Sequence, residues 1–189
     1  MLANVLVFVM IAVVGGLGSS WYMIERGSAL TTRSFGPWSA WVAAGRSDAD
    51  PYTRAHFMRR GMLPVSSALA VTFEAVSDSD GQRLHSSCEY VVDGDEPPGR
   101  FWSLSVFDEN GGLIPNPAER YSYNSATLLK GAGGRMTVAI ARSARPGNWL
   151  PTGGAGRLAL MLTVEELREA GEGQAGRWRP PQIRRVTCR

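Results

Sequence analysis

From Leu2 to Ile24, "LANVLVFVMIAVVGGLGSSWYMI", the chain carries no charged side chain. A helix of about 20 apolar residues crosses the hydrocarbon core of a bilayer, where only a backbone that bonds to itself is tolerated. The run can therefore fold as a helix and as little else. Trp21 and Tyr22 stand just before Glu25 and Arg26, where amphipathic rings settle at the headgroup level. The rival reading is a cleaved signal peptide, with Leu2 to Val14 as its apolar region and Gly15 to Ser19 as small residues for cleavage. No Lys or Arg precedes the run, so the basic start of a secretory signal is missing and an uncleaved anchor is favoured. Gly15 with Ser19 and Gly16 with Ser20 form small-xxx-small pairs, which suit helix packing or reflect loose composition equally well. Arg26 and Arg33 would by themselves hold the following segment in the cytoplasm, but that rule weakens when a long domain follows.

The whole chain has 189 residues, enough for one domain with a real core. Its 22 Gly and 11 Pro point to many turns rather than long helices. Gly27 to Ser47, with Gly, Ser, Thr, Trp38 and Trp41, reads as a linker that hugs the membrane or the domain. In "DADPYTRAHFMRRGMLP", Asp50 suits an N-cap, Pro51 the first helical position, and Gly61 with Pro64 a stop, which predicts a short helix over Pro51 to Arg60. Strand texture follows over Leu69–Val76, Cys88–Val92, Phe101–Asp108, Arg135–Arg142, Arg157–Val164 and Gln182–Cys188. Tyr121–Leu129 is either a further strand or a short mixed element. Gly and Pro separate these runs where a parallel sheet would need amphipathic helices, so an antiparallel sandwich or barrel is expected. The predicted plan is an anchor over 2–24, a linker over 25–47 and a mainly β domain over 48–189.

The net charge of +3 comes from arginine, since Lys130 is the only lysine. The arginines are interleaved with Asp and Glu and no aromatic residues are spaced among them, so nucleic-acid binding is not expected. No cofactor or metal site is expected either. His56 lies in the short helix and His85 in a hairpin arm, neither in a catalytic or zinc-binding context, and a lone histidine is usually surface. Asp78-Ser79-Asp80-Gly81 lacks the spacing and closing Glu of a calcium loop and reads as a turn.

"DADPYTRA", "DSDG", "PPGRFWSLSVFDENGGLIPNPAERYSYNS", "RPGNWLPTGG" and "WRPPQIRRV", in that order, resemble the bacterial family called domain of unknown function 1214, over about Asp48 to Cys188. The resemblance implies the short form, with one N-terminal anchor and one such domain, lacking the companion domain 1254 often found upstream. It also implies a jelly-roll-like β-sandwich. It implies no activity.

Asp108 and Glu109 are the most visible carboxylate pair. Neighbours at a strand end point to opposite faces, so they oppose each other poorly across a scissile bond, and Asn110-Gly111-Gly112 is a turn signal. Asp108 is read as fixing that turn. Trp102, Phe107, Tyr121, Tyr123 and Trp149 fill a core more readily than they stack on sugars. A ligand site, if there is one, is expected at Arg120, Tyr121, Asn148 and Trp149, because "GNWLPTGG" reads as a loop and loops on a rigid sandwich carry binding residues. No catalytic set is recognisable. The favoured reading is an envelope protein tethered to the inner membrane through residues 2–24, with a periplasmic domain binding a small ligand, a glycan or a partner protein. The alternative is an enzyme acting on an envelope or small organic substrate, with Asp108 or Glu119 as acid or base. Cys88 and Cys188, the only cysteines, open one strand and close the last, so a disulfide and an oxidising compartment are expected. Two reduced thiols are the alternative.

Overall fold

The structure is a computed structural model that describes residues 1–166 and 178–188. It divides into two compact units, Met1–Arg33 with Trp41–Ser67, and Ser34–Ala40 with Ala68–Arg189.

In the first unit, α1 spans Leu2–Arg26. It is the one helix among the described residues long and apolar enough to cross a membrane, and none of its residues is buried in protein. By length and composition a signal segment passes the same test. α2 spans Pro51–Arg59, close to the predicted Pro51–Arg60. The Asp50 carboxylate accepts from the amides of Tyr52 and Thr53 at 2.9 and 3.0 Å and from the Thr53 hydroxyl at 2.5 Å, which satisfies donors that the first helical turn leaves orphaned. At the other end Gly61 takes a φ of +62°, and the amides of Gly61 and Met62 turn back onto the carbonyls of Met58 and Phe57. Glycine enters that left-handed conformation without a side-chain penalty, and so ends the helix.

The described residues form ten strands: β1 Thr32–Phe35, β2 Trp38–Trp41, β3 Ala70–Ala75, β4 Cys88–Asp95, β5 Phe101–Asp108, β6 Ser122–Asn124, β7 Arg135–Ala141, β8 Trp149–Pro151, β9 Leu158–Glu165 and β10 Gln182–Cys188. One sheet has the order β1-β2-β3-β9-β5-β6 and the other β10-β4-β7-β8. The alternation of the long strands decides which faces meet. Tyr90 and Val92 of β4 and Met136, Val138 and Ile140 of β7 join Trp102, Leu104 and Val106 of β5 and Leu160, Leu162 and Val164 of β9 in one buried cluster. The fold is thus mainly β, two packed sheets sharing one core. These pairings do not by themselves trace a jelly roll.

The structure departs from the expected architecture in three places. β7 and β8 pair parallel, so the second sheet is mixed rather than purely antiparallel. β1 and β2 lie inside the stretch read as linker, and Trp38, 0% exposed, belongs to the core with its Nε1 donating to the Pro181 carbonyl at 2.6 Å. β8 lies in the stretch read as a loop, with Leu150 at 1% exposure.

The last strand is fastened at several points. Cys188 stands opposite Cys88 in the β10–β4 register, and the two form the expected disulfide. Ile183 and Ser79 exchange two hydrogen bonds, Ser79 N to the Ile183 carbonyl at 2.8 Å and Ile183 N to the Ser79 hydroxyl at 2.9 Å. Trp178 Nε1 donates to the Asp95 carbonyl at 3.0 Å. At Gly94 a side chain would bring a Cβ within 2.7 Å of Pro181 Cα, so glycine is what lets the entering segment lie against β4.

Candidate functional site

Strand alternation that sends Tyr90 and Val92 inward sends Glu89 and Val91 outward, and on β7 it does the same for Thr137 and Ala139. These outward positions floor an open groove of about 420 Å³ on the four-stranded sheet, with Leu129 and Gly131 on one wall and Arg145, Pro146 and Val186 among the other lining residues. That volume is in the range of small-molecule sites. The lining is mostly aliphatic. Its charged edge is Arg145, which holds the Glu89 carboxylate in a two-pronged ion pair, Nε to Oε2 at 3.0 Å and Nη2 to Oε1. The hydrogen bond to Glu89 and that carboxylate's charge raise the Arg145 pKa further above its ordinary value.

The four residues expected to bind a ligand are only partly brought together. Asn148 lines the groove, but its amide is fully engaged. Nδ2 donates to the carbonyls of Leu129 and Thr137 at 2.7 and 2.9 Å, and Oδ1 accepts from the Leu129 amide at 2.8 Å. It ties the wall to the floor and is not presented to a ligand. Trp149 donates from Nε1 to the Ala141 carbonyl at 2.9 Å, and its amide donates to the Tyr123 hydroxyl at 3.1 Å. Arg120 reaches the Trp149 carbonyl at 3.5 Å, with its guanidinium 5.6 Å from the centre of the Tyr123 ring. Arg120 and Trp149 therefore meet around Tyr123, between β6 of one sheet and β8 of the other. Tyr121 is half-buried beside them. Arg120, Tyr121 and Trp149 are not among the residues lining the groove.

Asp108 does what the turn signal suggested: its Oδ1 accepts from the amides of Asn110 and Gly112 at 2.9 and 2.8 Å. Glu109 faces Arg157 at 3.3 Å, and Glu119 sits on a loop at a φ of +48°. Asp108 and Glu119 do not line the groove, so no acid–base pair is assembled there. Among the described residues no group of three His, Cys, Asp or Glu side chains is placed to hold a metal ion.

His56 corrects the expectation of a surface histidine. It is 4% exposed, its ring lies 4.1 Å from the Trp41 ring, and its Nδ1 is 2.7 Å from the Ile24 carbonyl. A carbonyl only accepts, so Nδ1 is the protonated nitrogen and it satisfies an orphan oxygen near the end of α1. His85 is exposed, as expected, and Ser87 N donates to its Nδ1 at 3.1 Å.

The groove-floor residues Glu89, Val91, Thr137 and Ala139, and Arg145 at its edge, were not foreseen from the sequence. A partial signal was present in "CEYVV" and "RMTVAIAR", where Val91 and Ala139 occupy positions that alternation turns outward, beside the polar Glu89 and Thr137. A sheet face covered only by water carries more polar residues there.

Taken together these features define a two-sheet β protein with a long apolar N-terminal helix and an open aliphatic groove on one sheet. The chain belongs to the family described as "Protein of unknown function (DUF1214)", matched over residues 69–166, a narrower span than Asp48 to Cys188. It is similar in fold to the crystal structure of the VPA0106 protein from Vibrio parahaemolyticus, at 22% identity and a TM-score of 0.60, over 74% of this chain and 36% of that one. A putative uncharacterized protein from Burkholderia cenocepacia is similar at 16% identity and a TM-score of 0.50, over 66% and 31%. The chain thus spans about a third of the length of these two structures, and at such identities the likeness shows the fold alone. No curated protein matches the chain.

Proposed function

We propose that this is a single-pass protein of the inner membrane, anchored by residues 2–24, whose β domain faces the periplasm and binds a ligand without transforming it. The observation that carries the binding role is the groove on the outer face of β4 and β7. What supports a mainly apolar ligand, or an apolar side chain of an envelope partner, over a glycan is the chemistry of the lining. Sugars are held by exposed aromatic faces, and the one ring among the lining residues, Tyr90, is 2% exposed and belongs to the core. The Glu89–Arg145 pair at the edge would orient a polar end of such a ligand.

The test uses the whole protein in lipid nanodiscs, with thermal unfolding followed against fatty acids, envelope sugars and short apolar peptides. Filling the groove with Ala139→Trp should abolish any stabilisation seen with the parent protein and leave the parent unfolding temperature within a few degrees. A ligand that stabilises parent and variant equally binds elsewhere. No stabilising ligand, combined with no envelope protein crosslinked to a probe placed at Val91, would remove the support for a binding role.

A further inference from the structure

The exit end of α1 is clasped by α2 within the first unit. Besides the His56 contact to Ile24, Arg59 Nη2 lies 2.5 Å from Glu25 Oε1, and the Arg59 guanidinium sits 3.9 Å from the centre of the Trp21 ring. These contacts fix the depth of α2. With α1 across a bilayer, Trp21 sits at the headgroup level, and Arg59, stacked on it, shares that level. The residues on either side of Arg59 are unusually apolar for solvent-facing positions: Met58 is 80% exposed, Met62 37%, Leu63 98% and Val65 60%. Single exposed apolar side chains are ordinary. Four within one short tip, joined to a ring that marks the membrane surface and flanked by arginines, are not scattered.

We propose that this tip, Met58 with Met62 to Val65, is a second membrane contact that dips into the boundary between headgroups and acyl chains of the bilayer that α1 crosses. This rests on the anchor reading of residues 2–24. The bilayer is the occupant the geometry selects, because the tip is continuous with the membrane end of α1. Arg59, paired with Glu25 and stacked on Trp21, keeps its stem toward the apolar layer and its charge in the polar one, as long basic side chains at an interface do. Gly61, at positive φ, turns the chain back directly after α2 and so makes the tip a compact wedge.

The experiment exploits the closed disulfide. With Cys88 and Cys188 joined and no free cysteine present, one introduced thiol can be labelled alone. Leu63→Cys, Val13→Cys and Leu113→Cys in the full chain each receive an environment-sensitive nitrobenzoxadiazole label. All three are reconstituted into phosphatidylethanolamine–phosphatidylglycerol vesicles, with and without lipids carrying spin-label quenchers. All three positions are at least half exposed, so the substitutions remove little packing. The label at Leu63 should emit at shorter wavelength than the one at Leu113 and lose roughly half its intensity to quenchers placed near the headgroup, as an interfacial side chain does. Val13 should respond most to deep quenchers. A quenched Val13 label with an unquenched, water-like Leu63 label overturns the proposal and leaves the anchor standing. Unquenched labels at both sites overturn both. A Leu63 label that turns blue without any lipid quenching means that protein covers the tip, and also overturns the proposal.

Discussion

Asp93, on the outer face of β4, has its carboxylate shared among three partners. Arg135 Nη2 donates to it at 2.6 Å, the Thr137 hydroxyl at 2.9 Å, and Arg184 Nη2 lies 3.7 Å away. Partial burial pushes its pKa up, but the hydrogen bonds from Arg135 and Thr137 and the charges of Arg135 and Arg184 outweigh this and hold it below the ordinary carboxylate value. A depressed folded pKa contributes stability that is whole above the unfolded value, near 4, and is lost as pH falls through the folded one. Asp93→Asn should therefore lower the denaturation midpoint at neutral pH, and the gap to the parent should narrow from about pH 5 downward. Because both arginines are more than half exposed, at 51% and 63%, the gap should be modest. A gap that is constant from pH 7 to about pH 2 would show that Asp93 acts by packing and not by charge. At this scale local chemistry was legible and tertiary chemistry was not. Asp108 and Asp50 bond to amides within four residues, and such turns and caps are written in adjacent letters. His56 finds its partner 32 positions away, and nothing in "TRAHFMRR" announces a helix end waiting for a donor.

Among the elements, the strands read correctly are the long ones whose burial alternates, such as β5 and β9, because period-two patterning needs several residues to be heard. β1, β2 and β8 have four, four and three residues. Each is edged by Gly or Pro, and each exists because a neighbouring strand offers a partner. The expected ligand residues lie in that same stretch: with β8 read as a loop, Asn148 and Trp149 looked free, whereas Asn148 bonds to Leu129 and Thr137, and Trp149 to Ala141 and Tyr123. For β10 the fastenings make a graded prediction. The disulfide closes a separation of 100 residues, and removing such a constraint costs up to about 4 to 5 kcal/mol if the unfolded chain is otherwise unrestricted. The register of β10 shifts between Arg185 and Thr187, and upstream of that irregularity the strand keeps its bonds to Ser79. It also keeps Arg185, whose Nε lies 3.8 Å from the buried Asp78 carboxylate. After reduction, hydrogen exchange should accelerate at Thr187 and Cys188 while Ile183 stays protected. Uniform loss of protection from Gln182 to Cys188 would mean that the disulfide alone holds the strand.

At the scale of the whole molecule two signals pull in opposite directions. Arg26 and Arg33 follow α1, a basic flank that by itself favours a cytoplasmic domain. The disulfide favours the opposite side, because such bonds persist in oxidising compartments and are reduced in the cytosol. The second signal weighs more. Positive-inside bias is a short-loop effect that long translocated domains override, whereas the pairing of Cys88 with Cys188 is built into the register of two strands of the core sheet. The expected outcome is that membranes isolated under an alkylating quench, then denatured and treated with a mass-tagged maleimide, give an untagged chain, and a doubly tagged chain only after reduction. In intact spheroplasts, protease added outside should remove the β domain and leave a membrane-held fragment containing α1. Double tagging without reduction, together with a chain that resists protease until the membrane is opened, would place the domain in the cytoplasm. The arginines would then be the better guide, and the groove's ligand would have to be sought among cytosolic molecules.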